Sequence, residues 1–136
     1  MAQDPAGNMT LKIFQPSNVF LEQSVSKVVA EGPAGSFGIL PRHIDLATAL
    51  VPGILSYETV SGKESFVALN GGVLVKQGTQ VSIATRTAIE GELGKLKNEV
   101  DKMITDVDER ERKARTAVAR LEADLVRRMM EFGKNV

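Results

Sequence analysis

Proline and glycine are distributed so unevenly that this chain cannot be one kind of structure throughout. All five prolines, Pro5, Pro16, Pro33, Pro41 and Pro52, precede residue 86, as do all the glycines except Gly91, Gly94 and Gly133. Beyond residue 86 the sequence has no proline and carries most of the charge. Proline and glycine punctuate short strands and turns, while dense mixed charge without proline suits a solvated helix. The expected organisation is a flexible leader at residues 1–8, a β-sandwich over 9–86 and a helical domain over 87–136.

The first part reads as β. Leu11, Ile13 and Phe14 open a strand that stops at Pro16-Ser17-Asn18, and Val25, Val28 and Val29 sit in a second, ended by Gly32-Pro33. The clearest hairpin pairs Ile54–Val60 with Glu64–Leu69 around Ser61-Gly62-Lys63. Another pairs Val73–Lys76 with Gln80–Ala84 around Gln77-Gly78-Thr79. Asn70-Gly71-Gly72 interrupts a strand run, where a bulge or a close backbone approach is the usual cause. Strands this short, closely spaced by turns, indicate a sandwich or barrel rather than a parallel sheet.

The second part reads as helix. Leu93, Leu96, Val100, Met103 and Ile104 follow three-and-four spacing, as do Ala114, Ala117, Val118, Leu121, Leu125 and Met129, with Phe132 after them. Asp106 followed by Glu109 resembles a capping box opening a new helix. The pattern predicts a two-helix hairpin, with helices near 90–104 and 107–132; a single long helix is the alternative. Met129, Met130 and Phe132 are expected to form a seam packed on the sandwich or the first helix; an exposed Met-rich patch would instead suggest a partner surface.

Composition narrows the chemistry. The sequence has no cysteine and one histidine, His43, so a Ser/His/Asp or Cys/His triad and a thiolate metal site lack their parts. No phosphate-binding loop motif is present, and Gly35-Ser36-Phe37-Gly38 reads as a strand-linking turn. The 17 basic and 17 acidic residues cancel, leaving no global footprint for nucleic acid. No apolar run approaches the roughly 20 residues of a spanning helix. A soluble, intracellular protein without catalytic, cofactor-binding or metal-ligating residues is expected.

One long segment carries a resemblance. The run Gly35-x-Phe37-Gly38-Ile39-Leu40-Pro41-x-His43-x-x-Leu46-x-Thr48-Ala49-Leu50-x-Pro52-Gly53 resembles the signature of the epsilon-subunit family of rotary F-type ATP synthases. Leu69-Asn70-Gly71-Gly72-Val73-Leu74 resembles the family's second recurrent stretch. Ala84-x-Arg86-x-Ala88 falls where that family's sandwich gives way to its helices. The likeness spans the chain from about Thr10.

The resemblance implies a non-catalytic rotor subunit, peripheral on the cytoplasmic side of a bacterial inner membrane and reaching the membrane only through its complex. It implies that residues 31–43 touch the polar loops of the c-ring, with Glu31, Ser36, Arg42 and His43 as contacts. It implies a gamma-subunit contact through one sandwich face, and helices that reach the alpha/beta catalytic head and restrain hydrolysis. Arg127 and Arg128 are the candidates for that contact, with the head or with gamma. The other basic residues of this region, such as Arg110 and Arg120, read as a solvated face paired to nearby carboxylates. Many bacterial relatives bind ATP through an acidic residue followed by an Arg-Ala pair. Ile89–Leu96 here has no Asp and no Arg-Ala, so no bound nucleotide is expected. Arg120–Arg128 resembles an alternate branch associated with sodium-translocating ATPases. The competing readings are an ATP-sensing module and a free-standing sandwich adaptor.

Overall fold

The computed structural model describes residues 8–134, and residues 1–7 of the expected leader lie outside the described residues. Seven strands precede one helix: β1 (Met9–Gln15), β2 (Asn18–Gly32), β3 (Gly35–Ile39), β4 (Leu46–Thr59), β5 (Glu64–Gln77), β6 (Gln80–Ala84), β7 (Ala88–Glu90) and α1 (Leu93–Lys134). The chain divides into two compact units, one ending at Met103 and one beginning at Ile104.

In the first unit the sheet runs β1-β6-β5-β4-β2-β3, and an antiparallel β1–β2 pairing closes it on itself. All pairings are antiparallel except β1–β6. Strand alternation fills the interior. Met9, Leu11 and Ile13 point inward from β1, Val25, Val28 and Ala30 from β2, and Leu74, Val81 and Ile83 from β5 and β6.

The two expected hairpins are present, with Glu58 opposite Glu64 and Gln77 opposite Gln80. Both arms are longer than local patterning suggests, because β4 and β5 each continue through a bend. At the bend Pro52 lies opposite Asn70, and Gly71 and Gly72 have φ of 69° and 132°. A Cβ on Gly72 would lie 2.0 Å from the Ala84 carbonyl oxygen. The Asn70-Gly71-Gly72 interruption is therefore a close backbone approach.

A second, smaller core forms on the outer side of the β4–β5 hairpin. There Leu96 and Met103 pack with Ala68, bordered by Ile54, Phe66, Ile89 and Val100. Leu96, Val100 and Met103 share one helix face, as their four- and three-residue spacing requires.

Three sequence expectations are corrected. Gly35–Ile39 is a strand, β3, pairing with β2 from Gly32↔Gly35 to Val28↔Ile39, rather than a turn. Its two glycines hide a strand whose partner is adjacent in sequence. The C-terminal region is one continuous helix and not a two-helix hairpin. No glycine or proline occurs between residues 95 and 132, and Asp106 sits exposed within the helix, so nothing interrupts the i to i−4 ladder. Met129, Met130 and Phe132 are exposed rather than packed, Phe132 to 76%.

In the second unit the helix is exposed over residues 104–133. Its apolar side chains include Val118, Leu121, Leu125, Met129 and Phe132, all solvent-facing. Arg115 pairs with Glu111 at 3.4 Å and Arg127 with Asp124 at 2.7 Å.

Candidate partner-docking surfaces

The loop end of the sandwich is built by register. β4 begins at Leu46, opposite Lys76 near the end of β5, so the segment 40–45 lies beside the β5–β6 turn. The β2–β3 tip reaches the same end, since a Cβ on Gly32 would meet Phe37 and the Ala49 carbonyl.

The structure places Glu31 and Ser36 directly opposite each other on β2 and β3, beside the Pro33-Ala34 tip. Both are exposed. The Glu31 side chain lies over Gly53, whose missing Cβ would come within 3.1 Å of it, so glycine there lets β2 and β4 approach. Arg42 and His43 are exposed in the segment after β3. The His43 N–H donates to the Leu40 carbonyl at 2.9 Å, closing a turn, and His43 Nδ1 lies 2.8 Å from the Ile44 carbonyl. Leu40 and Ile44 flank this pair as exposed apolar side chains, Ile44 to 78%. The loop thus offers mixed charge and exposed apolar contact. Such an arrangement binds surfaces rather than small molecules.

Arg127 and Arg128 lie elsewhere, on the helix of the second unit. Asp124, three residues earlier on the helix, partly neutralises Arg127.

Two features escaped sequence reasoning. Lys76, read as a plain strand residue, is buried, and its Nζ donates to the carbonyl oxygens of His43 and Gly78. The other is an outward-facing apolar row crossing five strands. Cross-strand pairing aligns Ala49, Val73, Ala84, Phe14 and Val19. Ala49, Val73, Ala84 and Val19 are exposed and Phe14 is half-buried, with Lys12 Nζ 5.5 Å from its ring centroid. In the neighbouring row, Ala47 and Val75 are exposed beside Ser82. Alternation along Val73, Val75 and Gln77 was the available signal, but both faces of β5 read as apolar.

An open groove of about 840 Å³ lies where the β4–β5 turn meets β7. Its lining includes Tyr57, Lys63, Glu64, Phe66, Glu90 and Glu92. The Tyr57 phenol is held above its ordinary pKa, first by burial and then by its hydrogen bond to Glu90. Among the described residues no group of three or more His, Asp or Glu comes together as a metal site, and no helix is long and apolar enough to cross a membrane.

A closed sandwich with exposed charged loops and an apolar outer face defines a docking module. The family model for the ATP synthase delta/epsilon chain, beta-sandwich domain, matches residues 8–106. The chain is 34% identical over 126 residues to ATP synthase epsilon chain 2 of Cereibacter sphaeroides, covering 90% of this chain and 86% of that one. It is 41% identical over 87 residues to the ATP synthase epsilon chain of Carboxydothermus hydrogenoformans, covering 64% of each. This chain therefore belongs to the ATP synthase delta/epsilon-chain family, with epsilon chains as its relatives. The fold is also that of a chain in the cryo-EM structure of the Euglena gracilis mitochondrial ATP synthase (OSCP/F1/c-ring, rotational state 1). That likeness has a TM-score of 0.61 at 24% identity, and covers 74% of this chain and 66% of that one.

Proposed function

We propose that this chain is a non-catalytic central-stalk subunit of a rotary ATP synthase. It couples ion flow through the c-ring to ATP synthesis and hydrolysis in the alpha/beta head. Its place is peripheral, on the cytoplasmic face of a bacterial inner membrane, held there by the complex. The observation that carries this reading is the family match over residues 8–106 together with a relative aligned along nearly the whole chain.

Within that reading the exposed surfaces divide the partners among them. The loop end, with Glu31, Ser36, Arg42 and His43, meets the polar loops of the c-ring. The row Ala49, Val73, Ala84, Phe14 and Val19 meets the gamma subunit, because an exposed apolar sheet face is where a second protein gains most from excluding water. The exposed apolar side of α1 beyond Ile104, with Arg127 and Arg128, meets gamma or the head and restrains hydrolysis. The charge pattern Arg120–Arg128 supports a place in the branch associated with sodium transport. Sodium-dependent pumping that survives a protonophore is the expected sign of it.

Replacing Arg42 and His43 with Glu tests the ring contact. Rim charges alter association more than fold, so the isolated chain keeps its melting temperature. The assembled enzyme in vesicles loses ion pumping while its head still hydrolyses ATP. Normal pumping by this variant would place the ring contact elsewhere.

A further inference from the structure

We infer that Lys76 is the positioning residue of the ring-facing loop. Its Nζ ties residues 40–45 to the β5–β6 turn, and this tie presents Arg42 and His43 in a single geometry. The inference rests on the reading of residues 31–43 as the ring contact.

β5 alternates at this end. Val73, Val75 and Gln77 face out, while Leu74 and Lys76 face in. Lys76 therefore occupies an inward position where an apolar side chain would close the core. It is 2% exposed. A buried amine head group is costly unless its N–H groups find acceptors. Here the acceptors are main-chain carbonyls from two separate loops, that of His43 and, at 2.8 Å, that of Gly78. Asp45 adds a parallel link, its Oδ1 accepting the Gly78 N–H at 2.8 Å.

These links matter because the loop has little else to hold it. Leu40 and residues 42–45 are exposed, and Pro41 is only partly covered. No side chain of this stretch enters the core cluster. An apolar residue at position 76 would fill the same space and leave the His43 carbonyl without its tether. A lysine fills it and holds the loop at once.

Amide hydrogen exchange on the full chain, read beside coupling in the assembled enzyme, tests this. In Lys76→Met the His43 and Gly78 amides are expected to exchange at least about tenfold faster, while the β2–β4 ladder is unchanged and Lys76→Arg restores protection. Ions pumped per ATP hydrolysed fall several-fold in the Met variant and recover in the Arg variant. Unchanged exchange at both amides would overturn the inference. Should Lys76→Met fail to fold, Asp45→Ala decides. It removes the parallel link only, so Gly78 should speed while His43 stays slow; equal acceleration of both overturns the role of Lys76. Faster exchange with normal pumping has two meanings, separated by the Arg42→Glu/His43→Glu variant. If that variant also pumps normally, the ring reading fails and the tether stands. If it is uncoupled, the held geometry does not serve coupling and the inference fails.

Discussion

The Tyr57 hydroxyl donates to Glu90 Oε2 at 2.8 Å and so joins β4 to β7, two strands that both pair with β5 but 33 residues apart in sequence. Burial raises the Tyr57 pKa above its usual 10.0, and Glu90 raises it further, against a smaller opposing hydrogen bond from Ser65. The folded chain therefore holds the phenol proton more tightly than the unfolded one. The resulting stabilisation is complete below pH 10 and is lost as pH rises through the folded pKa. Thermal melts between pH 7 and 11 should fall more steeply for the parent than for Tyr57→Phe. At neutral pH the Phe variant should lose about 1 kcal/mol. Parallel slopes would mean that other groups govern alkaline unfolding.

Gly72→Ala should be severe, because its Cβ would meet the Ala84 carbonyl oxygen at 2.0 Å and its φ is 132°. The obstacle is backbone, so β5 and β6 must separate. A loss of about 3 kcal/mol or more is expected in urea titrations. Gly78→Ala is the control. Its φ of 62° is strained but its surroundings are open, so about 1 kcal/mol is expected. Equal effects at both sites would show that conformation, not the close approach, sets the requirement at Gly72.

The sandwich over residues 9–86 is expected to fold alone, giving a β-type circular dichroism spectrum and a cooperative melt. A fragment of residues 9–103 should be more stable, since Leu96 and Met103 cover Ala68 in the outer core. Two such side chains contribute about 3 kcal/mol or more, which moves a domain of this size by roughly 10 °C or more. A molten or aggregated 9–86 fragment would count against the boundary at residue 86.

ATP with magnesium should show no saturable heat at dissociation constants below about 100 μM, roughly −5.5 kcal/mol. The groove beside Ile89–Leu96 presents Glu64, Glu90 and Glu92 against Lys63, an excess of negative charge that repels polyphosphate. Saturable binding in that range would restore the nucleotide-sensing reading.

Deleting residues 104–136 removes the second unit and leaves the docked Leu96–Met103 face intact. Assembled enzyme carrying this deletion should pump normally and hydrolyse ATP faster than the parent. An unchanged hydrolysis rate, measured beside dye quenching in the same vesicles, would show that the helix is not a brake.

Much of the architecture was legible from local chemistry alone. Pro16-Ser17, Ser61-Gly62-Lys63 and Gln77-Gly78-Thr79 each turn the chain by their own backbone preferences, and three-and-four spacing marks the helix. The resemblance centred on Gly35–Gly53 likewise needed no coordinates. Tertiary structure decided what depends on a distant partner. The strand at Gly35–Ile39 and the unbroken helix at Asp106 are not of that kind, since β2 is adjacent in sequence and no residue near Asp106 ends the helix. The placement of Lys76 under His43 and of Tyr57 against Glu90 each spans 33 residues of sequence. Sequence periodicity reports which face a side chain takes within its own element. It carries no information about which carbonyl or carboxylate a distant strand brings opposite, because sheet register sets that, and register is a property of the whole fold.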